Sequence, residues 1–170
     1  MKKIIIALMT MVMVLSLCAC GGSMTPEEMD KMISEQEVRV ADTKYLVQDE
    51  ELKIAYPDML QAFFVNESDD TIDTAIIGFV AWDKDNQPVE IEGWVDINGP
   101  QYLKEVSYED INLKPGEKCG ETQGFSLKKD NNIDKFRAIV LSYTTVDGET
   151  WENPLAEDWT IMYKGSEYTW

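Results

Sequence analysis

The sequence predicts an all-β protein, an antiparallel β-sandwich preceded by one short helix. Three observations support this fold class. Beyond residue 38 the chain consists of roughly seven to nine short runs rich in β-branched and aromatic residues, separated by turn residues. No helical period is apparent between these runs, and no repeat or low-complexity linker divides them. About 130 residues are enough for one core and too few for two.

The first 19 residues have the three zones of a secretory signal. Lys2 and Lys3 form the charged start, residues 4–17 are apolar, and the small residue Ala19 ends the segment. As a helix the apolar zone would extend about 21 Å, which is shorter than the roughly 30 Å hydrocarbon core of a bilayer. We therefore predict a cleaved signal peptide at residues 1–19 rather than a membrane-spanning helix.

The end of this segment, Leu17-Cys18-Ala19-Cys20, resembles the lipobox of bacterial lipoproteins. Cys20 fits the lipidated position because small Ala19 precedes it, whereas Leu17 precedes Cys18. The resemblance implies a diacylglyceryl anchor on Cys20, whose two acyl chains, such as palmitate, hold a protein stably on a membrane. The mature chain would then lie at the outer face of the cytoplasmic membrane. The alternative is an ordinary secreted protein with an incidental cysteine.

The chain beyond the signal is strongly acidic. All 32 Asp and Glu residues lie there, and after Lys2 and Lys3 are removed 13 of the 15 Lys and Arg residues remain, which gives a net charge of −19. Such a surface repels nucleic acid and anionic lipid headgroups, so we expect no nucleic-acid partner. The charge also keeps a tethered domain soluble, which is the simpler explanation.

Residues 20–37 form the predicted lipidated N-terminus, tether and short helix, and residues 38–170 the single β-sandwich domain. The helix covers residues 25–36: Thr25 suits the N-cap, Pro26 the first turn, and Glu28 completes a capping box. Apolar residues follow at helical spacing on one side, at Met29, Met32 and Ile33. They allow the helix either to pack on the domain or to stand as a spacer.

The alternation of apolar and polar side chains indicates which strands are central and which have one face in solvent. Residues 72–83 and 136–146 are apolar on both faces, which predicts central strands with the helix or the N-terminal segment covering one side. Residues 88–97 show one apolar face and one acidic face. We expect Val89, Ile91, Val95 and Ile97 to point inward, with Glu90, Glu92 and Asp96 outward. Residues 147–154 read as a terminal loop before a last β-rich run at residues 158–164.

The sequence contains few signs of catalytic chemistry. It has no histidine, the commonest general base and metal ligand. It also shows no nucleophile elbow, phosphate loop or paired-cysteine motif, so we predict no catalytic residues, cofactor or metal. The stretch Asp83-Lys84-Asp85-Asn86 looks like part of a calcium loop but lacks its glycine and distal glutamate. A hairpin turn explains the same residues.

Two tryptophans and one cysteine are the residues of interest outside the signal. Trp94 falls on the same outward face as the acidic residues around it. An outward tryptophan can stack on a sugar or contact a protein, or it can pack under a covering segment of the same chain. Trp151 in the terminal loop allows a binding role or a plug at the open end of the sandwich. Cys119 remains unpaired once Cys18 is removed and Cys20 is acylated, and we expect it to be buried rather than reactive.

Several motifs together resemble a family of uncharacterised extracellular domains found in lipoproteins of Gram-positive bacteria. They are WDKDNQPV at residues 82–89, INLKPGE at 111–117, CGETQGF at 119–125 and DGETWENP at 147–154. The resemblance covers about residues 56–163. It implies an immunoglobulin-like β-sandwich, and it carries no catalytic or binding residues because none are established for the family.

These observations favour a non-catalytic binding or structural module at the cell envelope, with a protein or cell-wall glycan as its partner. The alternative is a carboxylate-dependent hydrolase acting on envelope polymers, since glycosidase chemistry needs only two acidic residues. Two converging carboxylates in a concave site would favour the hydrolase, and a flat face bearing Trp94 would favour adhesion.

Overall fold

The computed structural model describes residues 24–53 and 55–168, and the predicted signal and Cys20 lie outside this range. The described chain contains two helices and nine strands. In chain order they are α1 Pro26–Ser34, β1 Val38–Leu46, β2 Met59–Asn66, β3 Ile72–Trp82, β4 Pro88–Val89, β5 Lys104–Tyr108, β6 Lys118–Cys119, β7 Phe125–Ser126, β8 Lys135–Thr145, β9 Thr150–Glu152 and α2 Ala156–Tyr163. Neither helix is long and apolar enough to cross a bilayer.

The strands form two antiparallel sheets. In the first, β2 pairs with β1 on one side and with β6 and β7 in succession on the other. In the second, β3 pairs with β8 on one side and with β4 and β5 on the other, and β9 adds to the far side of β8. The predicted antiparallel sandwich with a preceding helix is confirmed.

One hydrophobic core fills the space between the sheets. It is built from inward-facing residues of both central strands, among them Leu60 and Phe64 of β2 and Ile77 and Phe79 of β3, all fully buried. Phe64 contacts Tyr108 edge to face at 5.4 Å between ring centroids. This core is the apolar layer that antiparallel alternation produces in a sandwich.

A second core covers the outer face of the second sheet. Val80 and Ile139 from the sheet pack there against Met29 of α1 and Trp159 and Tyr163 of α2. The prediction that β3 and β8 are buried on both faces is therefore confirmed, and α1 packs on the domain rather than standing away from it. The capping box is also present, because Thr25 and Glu28 each accept the backbone amide of the other.

The last part of the chain differs from the prediction. Residues 158–164 are expected as a β-rich run, but residues 158–163 belong to helix α2, and part of the expected terminal loop is strand β9. The side chain of Asn153 accepts the amide of Leu155 at 2.9 Å just before the helix. Trp159 and Tyr163 are one turn apart, and their rings meet at 5.1 Å on the buried side. Burial of this pair against the sheet selects helix over strand.

The acidic stretch after β3 forms a hairpin turn. Asp83 Oδ1 accepts the amides of Asp85 and Gln87, both at 2.9 Å, and Asn86 adopts a left-handed conformation with φ of 64°. The turn explanation is therefore confirmed for these residues. Asp and Asn are favoured here because they bond to their own backbone and tolerate positive φ.

Candidate interaction surface

The segment between β4 and β5 first bridges the two sheets. Gly93, beyond β4 of the second sheet, pairs with Leu127, which directly follows β7 of the first sheet. The amide of Trp94 donates to the carbonyl of Ser126 at 3.0 Å. A Cβ on Gly93 would lie only 2.7 Å from Cζ of Phe125, so glycine lets the crossing form without displacing that ring. This bridging pair fixes the chain where it leaves the sheet.

A buried ion pair holds the turn that follows. The Nζ of Lys104 lies 2.5 Å from Oδ2 of Asp96, and the two side chains are only 4% and 6% exposed. The carboxylate also accepts the amides of Gly93 and Asn98 at 3.0 and 3.1 Å, and Lys104 donates to the carbonyl of Gly99 at 3.3 Å. Because both charges are hydrogen-bonded on several sides, the pair fixes the path of residues 93–99.

These contacts keep the carboxylate ionised. Burial alone acts to raise the pKa of Asp96, but the hydrogen bonds from Lys104 and from the amides of Gly93 and Asn98 outweigh it and hold the pKa below its ordinary value. Asp96 therefore stays charged at neutral pH, and the turn is closed by a complete ion pair.

The turn presents apolar side chains to solvent. Ile97 is 100% exposed, Val95 85% exposed and Trp94 45% exposed. We call these three side chains the apolar loop. Neither hydrophobic core includes any of them. A rigid turn that displays a group of large apolar side chains is typical of a protein contact site.

The predicted inner face of residues 88–97 is therefore only half right. Val89 and Ile91 point inward and are buried, but Val95 and Ile97 point outward, and Asp96 turns inward to meet Lys104. The strand ends early because Gly93 leaves the second sheet to pair with Leu127, and the chain then bends before Gly99, which has a φ of 70°. The Asn-Gly-Pro sequence is a strong turn signal that the alternation of the preceding residues obscured.

The two candidate tryptophans lie in different environments. Trp94 faces outward as its parity predicts, and its ring is nearly half exposed. Trp151 lies on β9 and stacks on Tyr143 of β8, with ring centroids 5.0 Å apart and planes 21° apart. It is partly buried and packs against the core between the sheets. The structure does not bring Trp94 and Trp151 together as one surface, because Trp94 follows β4 at one edge of the second sheet and Trp151 lies on β9 at the other.

Cys119 is free and half-buried on β6. Burial raises the pKa of the thiol, and the amide of Gly120 lowers it by less. Its Sγ lies 3.7 Å from Oε1 of Gln123. The expectation of a buried cysteine is met in part, and the raised pKa keeps the thiol protonated and poorly nucleophilic at neutral pH.

Open grooves also occur elsewhere on the described surface. One, of about 420 Å³, lies between α1, β1 and the first half of β8. Another, of about 470 Å³, lies beside α2 and is lined in part by Glu105, Glu152 and Glu157. Among residues 24–53 and 55–168 no three Cys, Asp or Glu side chains are arranged to hold a metal ion.

Comparison with known proteins places the fold and the family. A crystal structure of a hypothetical protein from Peptoclostridium difficile 630 is similar, with a TM-score of 0.64 and 13% sequence identity over 79% of this chain and 95% of that one. At this identity the likeness shows the fold alone. No curated protein matches the sequence. A protein-family model matches residues 59–166, close to the range in which the sequence resembles uncharacterised domains. The chain therefore belongs to the family of unknown function DUF5780.

Proposed function

We propose that the protein is a lipid-anchored, non-catalytic binding module at the outer face of the cytoplasmic membrane. The lipobox at residues 17–20 supports an anchor on Cys20. The described domain supports the binding role, since the apolar loop exposes Val95 and Ile97 almost entirely on a turn that a buried ion pair holds. The loop contacts an envelope partner while the anchor keeps the domain near the membrane.

The exposure of Val95 and Ile97 is the observation that carries the binding role. Full burial of an aliphatic side chain of this size stabilises a protein by about 1.5–3 kcal/mol. The free protein lacks this stabilisation because both side chains are exposed. Building the turn also requires taking two charges out of water, which is favourable only with the full set of hydrogen bonds seen around Asp96 and Lys104. A spacer domain needs neither feature.

The side-chain types favour a protein partner with an apolar cleft. Sugar rings stack on flat aromatic faces, which Trp94 offers, but the most exposed side chains of the loop are aliphatic. The net charge of −17 for the whole chain opposes insertion into an anionic bilayer. Glu92 beside the loop pairs with Lys128 at 2.8 Å, whereas Glu90 is the acidic neighbour that a basic group at the rim of the partner's cleft would complement.

The binding role is tested by capture from the solubilised envelope of the host bacterium. The full chain, purified in detergent, is compared with a variant carrying Trp94→Ala, Val95→Ser and Ile97→Ser. Ile161→Ser is the matched control, because Ile161 is an exposed aliphatic residue on α2, away from the loop. We expect one envelope protein to be retained by the natural chain and the control and lost with the loop variant. Equal retention by all three, or retention of purified peptidoglycan alone, would contradict a protein-binding loop.

The anchor is tested separately. Cys20→Ala removes the proposed acylation site, so the protein should no longer incorporate labelled palmitate and should leave the membrane fraction. Continued labelling and membrane association of this variant would refute the anchor. The binding role of the loop does not depend on this result.

The hydrolase remains the second candidate, and one observation gives it a location. Glu105, Glu152 and Glu157 line the groove beside α2, which makes it the place where two carboxylates could act on a polymer. Two results together would favour the hydrolase over the binding module. The natural chain would hydrolyse peptidoglycan while Glu152→Gln and Glu157→Gln would not, and no protein would be captured.

A further inference from the structure

Helix α1 lies directly on the second sheet, so the chain that leads to the predicted anchor joins the domain without a spacer. Met29 of the helix is fully buried against the sheet. Asp30 accepts a hydrogen bond from Arg137 of β8 at 2.6 Å. Just beyond the helix, Gln36 exchanges two side-chain hydrogen bonds with Asn153, at 2.7 and 3.2 Å. These contacts hold α1 against the domain along its length.

The direction of α1 shows where the anchor joins the domain. Near the middle of the helix, Asp30 meets Arg137, the third residue of β8. Gln36 lies beside Asn153, whose amide bonds to Leu141 further along the same strand. The helix therefore runs in the direction of β8, and its N-terminus points past the start of that strand. We call this end of the domain, where β8 begins and β3 ends, the tether end.

The apolar loop starts and finishes at the tether end. It belongs to the connection between β4 and β5. Pro88 of β4 is opposite Trp82, the last residue of β3. Lys104, the first residue of β5, is opposite Phe79. Both ends of the connection therefore start from the last four residues of β3, on the half of the sheet where α1 begins.

The segment between the predicted anchor and the domain is short. Cys20 is four residues before Met24, which packs against the second core. Fully extended, four residues span about 14 Å. To turn the far end of the domain toward the bilayer, this segment would have to pass along β3, which is about 33 Å long for its eleven residues. With a lipid on Cys20, the tether end therefore remains nearest to the bilayer.

The apolar loop is small for a protein contact. It offers two exposed aliphatic side chains and one half-exposed indole. A large aromatic side chain buries about 150–250 Å². Three side chains therefore supply only part of the roughly 1,200 Å² that stable interfaces bury. Small contacts are occupied when the two partners are confined together, because confinement raises their effective concentration.

We infer that the partner of the apolar loop is a protein held in the same membrane, with its apolar cleft within roughly 30 Å of the bilayer surface. The inference rests on the proposed function and adds the location of the partner. Its two supports are the short segment after Cys20 and the position of the loop at the tether end. The acidic chain is repelled by anionic headgroups, so the loop meets a protein and not the bilayer itself.

The orientation is tested without any partner, on the lipidated full chain in nanodiscs that contain a gadolinium-chelating lipid. Gly99 follows the loop, and Gly148 lies in the turn after Thr145, which is opposite Ile72 at the far end of β3. The amide signal of Gly99 should be broadened several-fold more than that of Gly148. Equal broadening, or more at Gly148, would overturn the inference.

The triple loop variant is the control for contact with lipid. Trp94→Ala, Val95→Ser and Ile97→Ser together should leave the broadening pattern unchanged, because the segment after Cys20 sets the orientation. A pattern that is lost in this variant would show that the loop binds the bilayer, and would overturn the inference.

The location of the partner is tested in cells by a photoreactive residue at position 97. A glycine-serine linker of about 60 residues after Gly22 lowers the effective concentration at the membrane more than tenfold. The cross-linked band should therefore weaken several-fold, and the protein in it should remain with the membranes after an alkaline wash. A soluble or wall-bound protein in the band, or equal yield with the long linker, would overturn the inference and leave the binding role intact. No band with the natural segment would instead refute the binding role itself.

Discussion

The apolar loop and helix α2 are two short segments with similar apolar content, but the apolar side chains of the loop are exposed and those of the helix are largely buried. In the loop, Val95 and Ile97 are almost entirely exposed, whereas Trp159 and Tyr163 of α2 are each 1% exposed. Both segments follow a strand of the second sheet, and both contain acidic residues between the apolar ones. Their apolar content alone therefore does not determine which is buried.

The difference comes from what each segment can pack against. The buried apolar residues of α2 are one helical turn apart and so lie on the same side of the helix. That side packs on the outer face of the second sheet and forms a core with Val80 and Ile139. In the loop the ion pair between Asp96 and Lys104 takes the buried position and turns the neighbouring side chains outward. A buried charge can therefore decide the orientation of the apolar residues beside it.

The largest effect should come from α2. Trp159→Ala removes a side chain that lies between the sheet and both helices, and the cavity should lower the free energy of unfolding by about 3–5 kcal/mol. Ile161→Ala in the same helix and Ile97→Ala in the loop should each change it by less than about 0.5 kcal/mol. Urea unfolding measures all three. Similar losses for Trp159 and Ile97 would mean that the loop packs against the domain.

The ion pair should have the next largest effect. Lys104→Met leaves the Asp96 carboxylate buried without its partner and should cost on the order of 3 kcal/mol of unfolding free energy. Adding Asp96→Leu should restore part of that loss, because no buried charge then remains. Urea unfolding of the single and double variants checks this. If the double variant were no more stable than the single one, the burial of the unpaired charge would not be the cause.

The ion pair also predicts a dependence on acid. Since the pKa of Asp96 is lower in the folded state than in the unfolded chain, the folded state binds fewer protons. The stabilisation is complete above the ordinary aspartate pKa and is lost as the pH falls through the lower folded pKa. In Asp96→Asn this contribution should be missing, so the slope of stability against pH in that range should be smaller. An unchanged slope would show that Asp96 is not linked to acid unfolding.

The smallest effect concerns a buried hydroxyl in the main core. Among the described side chains, the hydroxyl of Tyr108 is buried without a hydrogen-bond partner, and its burial raises the pKa to about 12. Tyr108→Phe removes this unsatisfied group and keeps the ring contact with Phe64. We expect the variant to be as stable as the natural protein or up to about 1 kcal/mol more stable by thermal unfolding. A clear loss of stability would reveal an unrecognised partner of the hydroxyl.

Much of the fold was predictable because its signals are local. The capping box of α1 and the two long strands buried on both faces follow directly from residue spacing. Helix α2 was missed because its residues suit a strand equally well, although Asn153-Pro154 followed by Glu157 and Asp158 is a helix-start pattern.

The candidate site was less predictable because its determinants are long-range. The parity of Trp94 indicated an outward side chain, but the partner that turns Asp96 inward lies on a later strand. The groove beside β8 depends on where β9 ends and on how the two sheets stack, and neither can be read from one strand alone. Sequence periodicity shows which residues share a face and does not show which neighbours cover that face.

The central claim, that the apolar loop contacts an envelope partner, is tested most directly by photo-cross-linking in cells. A photoreactive phenylalanine analogue replaces Ile97 in one strain and Ile161 in another, since both side chains are exposed but only Ile97 belongs to the loop. The account predicts a discrete cross-linked protein band from position 97 and none from position 161. No cross-link at position 97, or the same bands from both positions, would contradict it.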